Sequence, residues 1–148
     1  MNELAPVEGD IKKVLVQTKI KENPDDYSIV FVDPDQRDKA WNAVKSLPPF
    51  TSYTITADEV SLVLCTNDWV KMKKSFPGHR EEGPYRLITF DIVLDLSIVG
   101  FLSVVSTALA ESGVSVYAIS TYLKDHILVK KGDAGKAVAV LNGLISKT

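Results

Sequence analysis

Residues 99–141 read VGFLSVVSTALAESGVSVYAISTYLKDHILVKKGDAGKAVAVL, and the order of elements in this stretch decides the fold. Gly100 opens a predicted helix that runs to about Ser112. Ile98, Phe101, Leu102, Val105, Ala108 and Leu109 fall on its apolar face at helical spacing. Gly113 ends it as a C-cap glycine. Val114–Thr121 reads as a strand, Tyr122–Asp125 as a tight turn and His126–Lys130 as the partner strand. Gly132 and Asp133 cap a last helix, with Ala134, Ala137, Val138, Leu141 and Ile145 on one face. Upstream, Tyr85–Leu94 alternates as a strand should, and Asp95–Val99 is a loop. The order βαββα is a ferredoxin-like unit that lacks its fourth strand.

The first half repeats the layout without repeating the sequence. Tyr27–Val32 reads as a strand, and Asp33-Pro34-Asp35 as a turn with a capping carboxylate. A helix is expected from about Gln36 to Leu47, stopped by Pro48-Pro49. Thr51–Thr56 and Val60–Cys65 form a predicted hairpin across Ala57-Asp58-Glu59. A short helix near Trp69–Phe76 leads into an exposed linker, the best candidate for a boundary. The expected class is therefore α+β, with two βαββαβ-like units of antiparallel sheet spanning residues 1–83 and 84–148. Ile11–Ile20, rich in Val14, Leu15 and Val16, reads as a further strand, followed by a charged turn over Lys21–Asp26. That strand could complete the second unit, which would interlock the halves by strand exchange.

Composition narrows the function. The 148 residues carry a net charge of −2 and are 45% apolar and 24% charged, so neither nucleic acid nor an anionic membrane is expected as a partner. Met1–Asp10 has no apolar targeting core, and no run approaches the ~18 apolar residues of a membrane span, which reads as a cytoplasmic protein. The single cysteine, Cys65, lies in an apolar run and excludes an intrachain disulfide. His79 and His126 have no Cys, Asp or Glu at metal-ligand spacing, and no phosphate-binding glycine loop or nucleophile elbow occurs. No metal, cofactor or catalytic group is expected. Asp125 and His126 could form an acid–base pair only by sharing one cleft, and neighbouring strand residues point to opposite faces.

The run AISTYLKDHILV, Ala118–Val129, resembles the ACT domains of the CASTOR-like group and related bacterial ACT proteins of unassigned function. GPYRLITFDIVLD (Gly83–Asp95), Gly100 at the helix start and LAESGVSV (Leu109–Val116) carry the same resemblance. DYSIVFV (Asp26–Val32) and EVSLVLC (Glu59–Cys65) match only in layout, in the place of the family's degenerate N-terminal unit. The resemblance implies a regulatory fold that binds an amino acid or similar small metabolite, with a regulated protein as a further partner. By motif, the implied ligand-binding residues are Val99, Gly100 and Ser103 on one side and Thr121, Tyr122 and Asp125 on the other. Where the arginine sensors of the group have an acidic residue, this chain has Ser103.

That set makes chemical sense. A helix N-terminus offers unpaired N–H groups to a carboxylate, and an aspartate in a turn accepts from an ammonium or guanidinium. Each residue also has a plainer reading. Gly100 can simply start a helix, Asp125 can shape the turn, Ser120 and Thr121 can bond locally, and Tyr122 can be a surface aromatic. Two functions follow: a metabolite sensor with a polar enclosed pocket, or an interaction module of the same fold whose cleft is filled by side chains. Monomer and homodimer both fit, since exposed strand edges need cover.

Overall fold

The computed structural model describes residues 10–95 and 98–146. The chain divides into two compact units. One takes the residues up to Pro24 and from Arg86 onward, and the other takes Asp25–Tyr85. In chain order the second unit is an insertion in the first.

The first unit begins with α1, Ile11–Gln17, where a strand is expected from sequence. Ile11, Val14, Leu15 and Thr18 recur at i, i+3, i+4 and i+7, and burial of Val14 and Leu15 outweighs the strand preference of adjacent β-branched residues. Asp10 caps the helix by accepting from the Lys13 N–H at 3.0 Å. The Thr18 hydroxyl donates to the Val14 carbonyl at 2.7 Å and closes the other end.

Strand β1, Lys19–Val32, then runs through the charged segment expected as a turn. Lys21–Asp26 has no apolar alternation because most of its residues face solvent, and Pro24 is accommodated within the strand.

The rest of the first unit comprises β4 (Arg80–Asp91), α4 (Phe101–Glu111), β5 (Tyr117–Ser120), β6 (Asp125–Lys130) and α5 (Ala134–Ser146). Its strand order is β1-β4-β6-β5, with β1 entering up to Pro24 and β4 from Arg86. Strands β5 and β6 are antiparallel, from Tyr117 opposite Leu128 to Ser120 opposite Asp125. β5 is shorter than its sequence suggests because Val114 serves the end of α4. Gly113 takes a left-handed φ of 77°; its N–H donates to Ala110 O at 3.0 Å and that of Val114 to Leu109 O at 2.9 Å. Leu109 and Val114 are both buried, which completes this type of helix stop. Ile88 and Phe90 of β4, Ile127 and Val129 of β6, and the inner faces of α1, α4 and α5 form one core.

The second unit has its own core. Segments of β1 from Asp25 and of β4 up to Tyr85 flank α2 (Arg37–Val44), β2 (Ser52–Ile55), β3 (Val60–Cys65) and α3 (Thr66–Met72), in the strand order β2-β3-β1-β4. Asp33 Oδ1 caps a 3-10 turn at Pro34–Gln36, so α2 starts at Arg37. Tyr27 lies opposite Cys65 and Val32 opposite Val60. Val30, Val32, Leu62, Leu64, Trp69 and Phe76 anchor the core. Residues 80–83, expected in an exposed linker, are the start of β4. Glu81 fixes them there, accepting from the Trp69 indole N–H while Lys73 and His79 approach its carboxylate at 3.4 and 3.1 Å.

Two substitutions check these assignments. Leu15→Ala is expected to lower stability in urea by about 2–5 kcal/mol, as a buried leucine in a docked helix should; a loss near zero would mean that α1 is not packed on this core. Gly113→Ala meets no atom within 4 Å and is strained only by its backbone, so it should cost about 1–2 kcal/mol.

Candidate functional site

The start of α4 is set by Gly100, whose φ of 88° and ψ of 4° lie in the left-handed region. A Cβ there would meet nothing within 4 Å, so the backbone conformation, not crowding, calls for glycine. Gly100, at the N-cap position, brings no side chain to cap this helix end. The loop before it is closed by the Ile98 N–H donating to Asp95 O at 3.0 Å, and the Val104 N–H then donates to Gly100 O at 2.9 Å.

The β5–β6 turn faces this helix end. Thr121 donates from both its N–H and its hydroxyl to the Lys124 carbonyl, each at 2.9 Å. The local reading of the Thr121 hydroxyl is therefore the one the structure shows. The Leu94 N–H donates to Leu123 O at 3.3 Å and ties the turn to the segment after β4.

A cavity of about 340 Å³ lies between these elements, within the first unit. Gly100 and Ser103 line it from the helix, and Thr121, Tyr122 and Asp125 from the turn and β6. Val99, the sixth candidate, is 88% exposed and is not part of the lining. Tyr122 lines the cavity while remaining 79% exposed. Asp95 and Lys124 also line it, and the sequence reading missed both. Lys124 sits inside the same turn motif as Thr121 and Asp125, which is the signal that could have found it. The walls described thus combine two carboxylates, one ammonium, hydroxyls and the start of α4 with the apolar sides of Leu94, Ile98 and Phe101. Such a lining suits a small molecule carrying both charges.

Lys124 Nζ is 2.6 Å from Asp91 Oδ1, and Lys21 Nζ is 3.1 Å from Asp91 Oδ2. Hydrogen bonds from Lys124 and then Lys21 hold the Asp91 carboxyl below the usual aspartate range. His126 is absent from the lining; its Nδ1 lies 2.8 Å from the Thr89 hydroxyl. Burial pushes His126 down, partly opposed by the Asp125 carboxylate. Asp125 and His126 therefore do not share the cavity. Among the described residues no group of three His, Cys, Asp or Glu side chains could hold a metal ion, and no helix is long and apolar enough to cross a membrane.

Residues 81–143 match the ACT domain family. The fold is similar to that of a Vibrio cholerae protein of unknown function, described as a possible transport protein. That similarity has 25% identity and a TM-score of 0.72, over 92% of this chain and 96% of that one. It is also similar to Clostridium acetobutylicum aspartate kinase, an allosteric enzyme, at 14% identity and a TM-score of 0.68, over 87% of this chain but 34% of the kinase. The regulatory subunit of Thermus thermophilus aspartate kinase matches at 10% identity and a TM-score of 0.62, over 85% of this chain and 97% of that one. At such identities the two kinase comparisons carry the fold alone. No curated protein matches the sequence.

His126 gives the pH prediction for this part of the molecule. Its folded value lies below the ordinary 6.5, so the unfolded chain binds the proton first as pH falls. Stability should decline as pH drops through 6.5 and level off only below the folded value. In His126→Gln this decline should shrink in urea titrations between about pH 7 and 5. An unchanged slope would show that His126 is not shielded from water.

Proposed function

We propose that this chain is a small-molecule-binding regulatory protein of the ACT type, of the CASTOR-like kind. It takes an amino acid or similar zwitterion into the cavity between α4 and the β5–β6 turn, and acts through a partner protein in the cytoplasm. The observation that carries this reading is the convergence of Gly100, Ser103, Thr121, Tyr122 and Asp125, drawn from two distant stretches, on one cavity of about 340 Å³. In the proposed pose the ligand carboxylate meets N–H groups at the start of α4, and its ammonium meets Asp125. Ser103, the third candidate position, offers a hydroxyl instead of the carboxylate of the arginine sensors, which favours a ligand smaller or less cationic than arginine.

The ACT match over residues 81–143 and the likeness to the fold of aspartate kinase regulatory parts support regulation over catalysis. Asp125 and His126, the pair weighed for acid–base chemistry, do not share the cavity, which supports the same reading. The chain would act as a monomer or a homodimer.

The test is a thermal-shift screen against the twenty amino acids and common nucleotides at millimolar concentration. A ligand at about 100 times its Kd should stabilise the fold by about 2.7 kcal/mol. The stabilisation should disappear in Asp125→Ala and in Gly100→Ala, while Val99→Ala should keep it. A folded protein with a flat screen would favour the interaction-module reading, in which the fold serves contact with another protein.

A further inference from the structure

Asp91 faces two ammonium groups, one on each carboxylate oxygen: Lys124 at 2.6 Å and Lys21 at 3.1 Å. Two cations share one anion, so the cluster carries an excess of one positive charge. The three members have different surroundings. The Lys21 side chain, on β1, is 66% exposed, whereas those of Asp91 and Lys124 are 25% and 31% exposed. Lys124 also lines the cavity and is the one cationic side chain among its described lining residues.

These facts fit a particular use. Asp91 is only partly buried, so water offsets some of the cost of its losing a partner but not all of it. With a single lysine, drawing that lysine away would strand it. With two, Lys21 keeps Asp91 satisfied when Lys124 turns aside. We propose that Lys124 is a loaned counter-ion: an anionic group entering the cavity takes its ammonium from Asp91, while Lys21 remains behind as the partner of Asp91. The inference rests on the cavity being a ligand site. It adds that the ligand carries an oxyanion, carboxylate or phosphate, within reach of the turn, and that Lys21, which does not line the cavity, helps to set the affinity.

The test follows the side-chain resonances of Lys124 in the full chain, assigned by their loss in Lys124→Met. The probes are N-acetylglycine, its neutral amide, and inorganic phosphate. N-acetylglycine, phosphate or both should move the Lys124 signals, telling a carboxylate site from a phosphate site, and the amide should not. In Lys21→Met, where Asp91 retains only Lys124, the apparent affinity for the responding anion should fall about fivefold, the scale of one partly exposed ion pair. In Asp91→Asn it should rise by a similar factor, which keeps the test decisive if Lys21→Met fails to fold. Lys124 signals that ignore both anions, or an affinity in Asp91→Asn no higher than in the wild-type chain, would overturn the proposal. An amino acid that stabilises the protein without moving Lys124 overturns this inference and leaves the site reading intact. A Lys124 response beside an empty amino-acid screen has the opposite meaning.

Discussion

Phe101 packs edge-on against Phe90, with ring centroids 5.3 Å apart and planes at 87°, and the site depends on that contact. Phe101 is the first residue of α4 and is 3% exposed. Its burial fixes where the helix begins over β4; Val105 and Leu109 follow on the same face and hold the helix axis. An aromatic pair of this geometry contributes about 0.5–1.5 kcal/mol beyond the area it buries. With Phe101 pinned inward, the chain must reverse immediately before it, and Gly100 does so in a conformation that side chains resist. The helix end thereby has a residue without a side chain at its N-cap, and faces a turn that Thr121 and Lys124 lock from within.

The second half of the molecule was legible because its periods are long and its punctuation is strong. Gly100 and Gly113 bracket α4 with an apolar stripe between them, and the Thr121–Asp125 turn separates two β-rich runs. Helix α1 was hidden by its brevity: over seven residues Val14, Leu15 and Val16 look like a strand, and only the burial of Val14 and Leu15 against exposed Val16 reveals the helical period. Strand β1 was hidden for the opposite reason. Its Lys21–Asp26 segment is a strand whose side chains are mostly wet, so it lacks the alternation that marks a half-buried strand.

The site divides in the same way. Gly100, Ser103, Thr121, Tyr122 and Asp125 came from the family resemblance, and local chemistry alone would not have singled them out. Asp91 was not among them, because its partner Lys124 is 33 residues away and the pairing exists only once the sheet has its register. Val99 came with the same resemblance, but it is 88% exposed and lies outside the lining. Sequence locates turn chemistry well and long-range charge pairing poorly, since a turn is a property of neighbours and an ion pair is a property of the whole sheet.

The insertion of Asp25–Tyr85 within the other unit has a consequence for synthesis on the ribosome. The inserted unit is continuous in sequence, so all its residues emerge together. The enclosing unit must wait for its second segment: Val14 and Leu15 leave the tunnel long before Ile88, Phe90 and Leu141, the residues of their core, have been made. At about 5–20 residues per second the delay is on the order of ten seconds. During that interval α1 is a short amphipathic segment whose core neighbours on β4 and α5 have yet to be made. The polypeptide is thus expected to mature from its middle outward, with its N-terminal helix among the last pieces to settle.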